Sequence, residues 1–213
     1  MRRIVLVILL MVPVAVSAAR PGPLLVLGDS LSAAQNIALS QGWVHQLAER
    51  LAALHTPRQV INASISGETT ASGRNRLPAL LRQYKPGIVI IELGANDGLR
   101  GLPLDEIRAN LSAMIRASQH GGARVLLLGI ELPVNYGPTY RDSLRGIYAD
   151  LATQYHVRRL PFLLEGVALD PKLMQADGLH PNAVGERRVF DNIWTALQPM
   201  LESGSSAAPA RMR

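Results

Sequence analysis

Three aliphatic runs in this chain carry no polar alternation, and the first two stop at clusters of small residues. Leu24-Leu25-Val26-Leu27 runs into Gly28-Asp29-Ser30, Ile88-Val89-Ile90-Ile91 leads to Gly94-Ala95-Asn96, and a third run spans Arg124 to Ile130. A strand with one wet face alternates, so a run without alternation belongs to a strand covered on both faces, as in a parallel sheet. Gln59-Val60-Ile61-Asn62 and the weaker Val157–Leu160 add two shorter runs. Between the runs lie segments with apolar residues at helical spacing, such as Trp43, Val44, Leu47, Leu51 and Leu54, or Ile107, Leu111, Met114 and Ile115. Strand–helix alternation with short connections predicts right-handed crossovers and an α/β fold, a three-layer α/β/α sandwich around a parallel sheet of about five strands. The 213 residues suit one domain with a sizeable core.

Open α/β sheets place their ligands beyond the carboxyl ends of the strands. Ser30 sits there, two residues after a glycine that permits a sharp exit. Gly-Asp-Ser is also common turn and helix-cap chemistry. A serine nucleophile needs a base, and a histidine base needs a third group to orient it. Asp177-Gly178-Leu179-His180-Pro181 supplies both: Gly178 and Pro181 disfavour helix, so a short turn brings Asp177 and His180 together. The same segment also reads as a solvated turn ahead of a helix capped by Asn182. Acyl transfer further needs donors for an oxyanion. The backbone N–H groups of Ser30 and Gly67 and the side-chain amide of Asn96 are the candidates, although Asn96-Asp97-Gly98 is equally an ordinary turn.

Gly28-Asp29-Ser30-Leu31-Ser32, Gly67, Gly94-Ala95-Asn96-Asp97 and Asp177-Gly178-Leu179-His180 follow the order and spacing of the SGNH, or GDSL, hydrolases, which this chain resembles. Asn62 to Gly67, Arg76 to Leu81, Glu92 to Gly101 and Leu132-Pro133-Val134-Asn135-Tyr136-Gly137 extend the resemblance to the periplasmic multifunctional acyl-CoA thioesterase, lysophospholipase and arylesterase group. The resemblance implies a flavodoxin-like strand order. It also implies a serine hydrolase that cleaves acyl-CoA, aryl and alkyl esters and lysophospholipids through Ser30, His180 and Asp177. The chain departs from that group at Ala34, where glycine is frequent, and this bears on loop conformation and substrate preference.

The loop Gly98-Leu99-Arg100-Gly101-Leu102-Pro103 offers two glycines as hinges. Leu99, Leu102, Leu132 and Pro133 are expected to line an acyl groove, or else to seal the end of the sheet. Their apolar character favours acyl chains over the sugars of a carbohydrate O-deacetylase, the main enzymatic alternative. A non-catalytic binding protein on the same fold is the alternative from another class. There is no His-Glu-x-x-His pattern, cysteine or glycine-rich phosphate loop, so no metal or nucleotide cofactor is expected. Met1-Arg2-Arg3 followed by an apolar run to Val16 has the form of a cleavable leader over 1–19, too short to span a bilayer, where ~20 residues are needed. A single domain over 20–201, a polar tail over 202–213, a periplasmic or secreted location and a monomer are the corresponding expectations. The net charge of +6 is scattered rather than clustered, which argues against a nucleic-acid partner.

Overall fold

The computed structural model describes residues 22–54 and 57–202. The expected leader over 1–19 lies outside them. So does the expected tail apart from Glu202, which is the last residue of the final helix.

Five parallel strands, β1 (Leu24–Gly28), β2 (Val60–Asn62), β3 (Ile88–Glu92), β4 (Arg124–Leu128) and β5 (Arg158–Leu160), form one sheet in the order β2-β1-β3-β4-β5. This is the flavodoxin-like order that the resemblance implies. The register sets Leu24 beside Ile88 and Gly28 beside Glu92. Alternate residues of each strand face opposite layers. Leu24, Val26, Ile88 and Ile90 pack against α1 (Trp43–Ala52) and α6 (Ala183–Glu202). Leu25, Leu27, Val89 and Ile91 pack against α2 (Thr70–Tyr84), α4 (Leu104–His120) and α5 (Pro138–Gln154). The interiors of β1, β3 and β4 are almost wholly inaccessible, which is why they read as unbroken apolar runs, whereas the edge strands β2 and β5 are only partly covered.

Several details differ from the sequence reading: β2 and β5 each start one residue later, at Val60 and Arg158. β4 ends at Leu128, not Ile130. Gly129 then passes so close to Pro161 that a Cβ there would sit 2.1 Å from its carbonyl oxygen. The segment after β3, read as a turn, forms a short helix, α3 (Ala95–Leu99). Asp97 anchors it from within: its carboxylate accepts from the Thr70 N–H at 2.9 Å and from the Thr70 hydroxyl, fastening α3 to the first turn of α2.

The topology fixes where a ligand can sit. β1 and β3 are neighbours, but β1 continues to β2 on one side and β3 to β4 on the other. Their carboxyl ends therefore open a crevice at the switch point. No helix among the described residues is long and apolar enough to cross a membrane.

The α1–α6 layer is closed by a buried acid. Glu186, 2% exposed, accepts from the Trp43 N–H at 2.8 Å, filling the place of an N-cap side chain that Gly42 lacks. Burial raises its pKa from 4.5 to about 7, against the opposing bond from Trp43. A carboxyl raised on folding holds its proton more tightly when native, so its stabilising contribution is complete below the unfolded value and is lost as pH rises through about 7. Glu186→Gln keeps the acceptor and removes the titration. The melting temperature of the parent should therefore fall relative to the variant between pH 5 and pH 8. A constant difference across that range would rule out Glu186 as the source.

Candidate active site

The hydroxyl of Ser30 and the ring of His180, 150 positions apart in the chain, lie 2.8 Å apart, Oγ to Nε2. On the far side of the ring, Nδ1 is 2.8 Å from Asp177 Oδ2. An imidazole held in this way can take a proton from the hydroxyl while the carboxylate fixes its tautomer.

The histidine loop is built for this placement. Met174 and Pro181 form an isolated antiparallel bridge, and the Gln175 N–H donates to the His180 carbonyl at 2.8 Å. Gly178 makes the tight return at φ +66°. Asp177 Oδ1 accepts from the Leu179 and His180 N–H groups at 2.9 and 3.0 Å. Partial burial works to raise the Asp177 carboxyl, but those two bonds and the His180 ring outweigh it and hold the group below the ordinary aspartate value. Asn182 Oδ1 accepts from the Val184 and Gly185 N–H groups, capping α6, so the helix-cap reading of this segment holds alongside the contact of His180 with Ser30. Gln175 Nε2 then ties the loop to the start of the chain, donating to the carbonyls of Pro181 and Gln35, each at 2.8 Å.

The turn that carries Ser30 is fastened from below. The Asp29 N–H donates to Glu92 Oε2 at 3.1 Å, the Ser32 hydroxyl donates to the same oxygen at 2.8 Å, and the Leu31 N–H donates to Asp29 Oδ1 at 3.0 Å. A Cβ at position 28 would lie 2.7 Å from that Glu92 oxygen, so only glycine fits over it. Asp29 and Glu92 are both wholly buried. Burial raises Asp29 to about 6, against opposing bonds from Leu31, Glu92 and Asn96; burial and the neighbouring Asp29 charge raise Glu92 well above the usual range.

Asn96, on α3, donates through Nδ2 to Asp29 Oδ2 at 2.9 Å and to the Glu68 carbonyl at 3.1 Å. Its amide thus sits between the serine turn and the loop of Gly67. That loop is held by the Glu68–Arg76 ion pair and by Arg100, which donates to the Gly67 carbonyl at 3.2 Å. Among the described residues, neither the Ser30 N–H nor the Gly67 N–H is given to a protein acceptor.

An apolar cleft of about 170 Å³ opens beside Ser30, Asn96 and His180. Leu99, Leu132 and Pro133 are in its wall. Leu102 is not: its carbonyl is turned to the Tyr140 hydroxyl at 2.8 Å. Nor is Gly98 a hinge, since a Cβ there would meet Leu132 at 2.8 Å and it serves close packing. Sequence reasoning missed Leu31, Ile130, Phe162, Leu163, Leu164 and Leu179 in the lining. Phe162 to Leu164 follow β5 at the same end of the sheet as the other loops, which was the one available signal.

Three comparisons bear on this site. Residues 26–188 match the family described as GDSL-like Lipase/Acylhydrolase. The chain is 49% identical over 178 residues to Esterase TesA of Pseudomonas aeruginosa, covering 84% of this chain and 89% of the relative. It is 40% identical over 188 residues to the Thioesterase 1/protease 1/lysophospholipase L1 of Escherichia coli, covering 88% and 89%. A crystal structure of TesA superposes with a TM-score of 0.82 at 48% identity, covering 84% of this chain and 99% of that one.

Close to Ser30, Ala34 adopts φ +57° and is 9% exposed. A left-handed residue with a Cβ costs roughly 1–2 kcal/mol, which glycine avoids at the expense of chain entropy. Ala34→Gly should therefore leave stability within about 1 kcal/mol of the parent, while the β-branched Ala34→Val should cost more than that. Thermal melts of the two variants check this; a strongly destabilised glycine variant would remove the strain argument.

Proposed function

The chain belongs to the GDSL-like lipase/acylhydrolase family and is an ester hydrolase, and from that premise we propose that it cleaves carboxylic esters and thioesters through Ser30, His180 and Asp177. The observation that carries this reading is the unbroken hydrogen-bond chain from the Ser30 hydroxyl through the His180 ring to Asp177. Ser30 Oγ attacks the acyl carbonyl and its proton passes to His180 Nε2. Asp177 stabilises the imidazolium. The developing oxyanion draws on the Ser30 and Gly67 N–H groups, which have no acceptor among the described residues, and on the Asn96 amide. Of the two bonds that Asn96 makes, the longer one, to the neutral Glu68 carbonyl, is the one an anionic acceptor displaces. When the tetrahedral species collapses, the bond to the leaving oxygen or sulfur breaks and His180 returns the proton to it. Water then repeats the sequence on the acyl-enzyme, releasing the acid and restoring Ser30.

The cleft supports apolar acyl groups. Leu99, Leu132 and Phe162 wall it, and each buried CH₂ is worth ~0.8 kcal/mol. Acyl-CoA, aryl esters and lysophospholipids are the substrate classes this favours, over the polar ring of a sugar ester. The charged and apolar leader-like segment over 1–19 supports action in the periplasm or outside the cell.

Ser30→Ala should abolish hydrolysis of p-nitrophenyl butyrate and labelling by a fluorophosphonate. Asn96→Ala should lower kcat by a few hundredfold, about what one oxyanion donor supplies, with the fold intact. Near-normal turnover in the Asn96 variant would remove the role given to that amide.

On a p-nitrophenyl ester series, Leu99→Ala and Phe162→Ala should lower kcat/KM more for octanoyl than for acetyl. Equal losses on both would remove the acyl-groove assignment.

A further inference from the structure

Beneath the nucleophile turn lies a feature that the chemistry above does not use: two acidic side chains, both wholly buried, facing each other at the paired ends of β1 and β3. Their bonds divide cleanly. Asp29 offers one oxygen to the Leu31 N–H and the other to Asn96 Nδ2, at 3.0 and 2.9 Å. Glu92 offers Oε2 to the Asp29 N–H and the Ser32 hydroxyl, and its Oε1 has no partner among the described residues.

Two adjacent carboxyls cannot both ionise in so dry a place. Asp29 receives two N–H donors, the environment of a carboxylate. Glu92 keeps one buried oxygen free, the place for a proton that can be donated to Asp29. We infer that Asp29 and Glu92 form a one-proton pair in which neutral Glu92 holds ionised Asp29, and Asp29 in turn fixes the Asn96 side chain with its N–H bonds toward the oxyanion. This rests on the proposed role of Asn96. Both acids are positioning residues: Glu92 is absent from the cleft lining, and Asp29, which borders the cleft, has its two oxygens engaged by the Leu31 N–H and the Asn96 amide.

The physical reason is the two-ended nature of a carboxamide. Asn96 can present either its nitrogen or its oxygen to the site. A carboxylate accepts only, so an ionised Asp29 selects the nitrogen. Were an amide to stand at position 29, its own N–H₂ would select the oxygen of Asn96, and rotation of that side chain would place a carbonyl where the oxyanion develops. The Glu68 carbonyl would then be the only group still favouring the productive orientation. A neutral Glu92 also avoids a second negative charge under an oxyanion, which would oppose the reaction it serves.

The test is a double-mutant cycle on p-nitrophenyl butyrate with Asp29→Asn and Asn96→Ala, alongside Glu92→Gln. Asp29→Asn should lower kcat by about tenfold to a hundredfold with KM within about twofold. In the Asn96→Ala background the same change should cost less than about threefold, because the group it acts through is gone. Glu92→Gln, which is neutral and still donates, should retain at least about a third of parental kcat. Additive losses in the cycle, or full activity in Asp29→Asn, would overturn the proposal. If Asp29→Asn does not fold, as read by circular dichroism and a thermal melt, Glu92→Gln decides: a loss comparable to that of Asn96→Ala would show that Glu92 must be ionised, and the pair would not work as described. Failure of the underlying reading looks different, because Asn96→Ala alone would then turn over normally.

Discussion

Everything at the site hangs on the pairing of β1 with β3. Their register sets Gly28 directly beside Glu92, and the missing Cβ leaves room for the Glu92 carboxyl to reach the Asp29 N–H and the Ser32 hydroxyl. A slip of one residue would turn Glu92 to the other face of the sheet, since side chains alternate with a period of two. The nucleophile turn would then lose its floor. Ser30 stands two residues beyond one strand and Asn96 four beyond the other, so this single register also sets how the Ser30 hydroxyl and the Asn96 amide are placed relative to each other.

The third participant comes from the other end of the chain and is held by different means. His180 belongs to no strand or helix. It stands on a loop closed by one bridge, one glycine and the Asp177 carboxylate, and the loop is joined to the serine turn by Gln175 bonded to the Gln35 carbonyl. Apart from the backbone bridge, these are side-chain bonds to backbone carbonyls and N–H groups. They hold the loop without the cooperativity of a ladder. Geometry here is specified residue by residue, so individual polar side chains matter more than the length of any element.

Much of this was legible in the sequence, for a definite reason. Leu24–Leu27 and Ile88–Ile91 read as doubly covered strands because burial on both faces removes alternation, and the small residues after them mark the ends where ligands bind. Ser30, Asp177 and His180 stood out as candidates because a nucleophile, a base and an orienting acid must each be of a particular type. What the sequence hid has no such local signature. Ala95–Leu99 is helical although Ala-Asn-Asp-Gly-Leu is turn chemistry, because Asp97 finds Thr70 across the fold. Phe162 and Leu164 belong to no motif and show their place only where the sheet end opens beside them, and Leu102 read as lining until its backbone turned to Tyr140. Glu92, at the end of an apolar run, gave no sign of its burial.

The same contrast separates what the fold must do from what the site requires. Core positions follow the rules of strand and helix almost without exception. Around Ser30 those rules are broken together: Ala34 and Asn36 sit at positive φ, Gly94 is held at φ +121° with the Tyr148 hydroxyl where a Cβ would point, and two acids are buried without a cation between them. Strain and buried charge persist only where the surroundings over-determine them. Here the surroundings are identifiable: Asn62 on the Ser32 carbonyl, Trp43 on the Leu31 carbonyl, Glu92 on Asp29. Each comes from a different element, so the turn cannot relax without breaking contacts in several layers at once. That distribution of restraints lets a short loop keep a hydroxyl, an imidazole and an amide in one arrangement while the cleft beside them stays apolar and open.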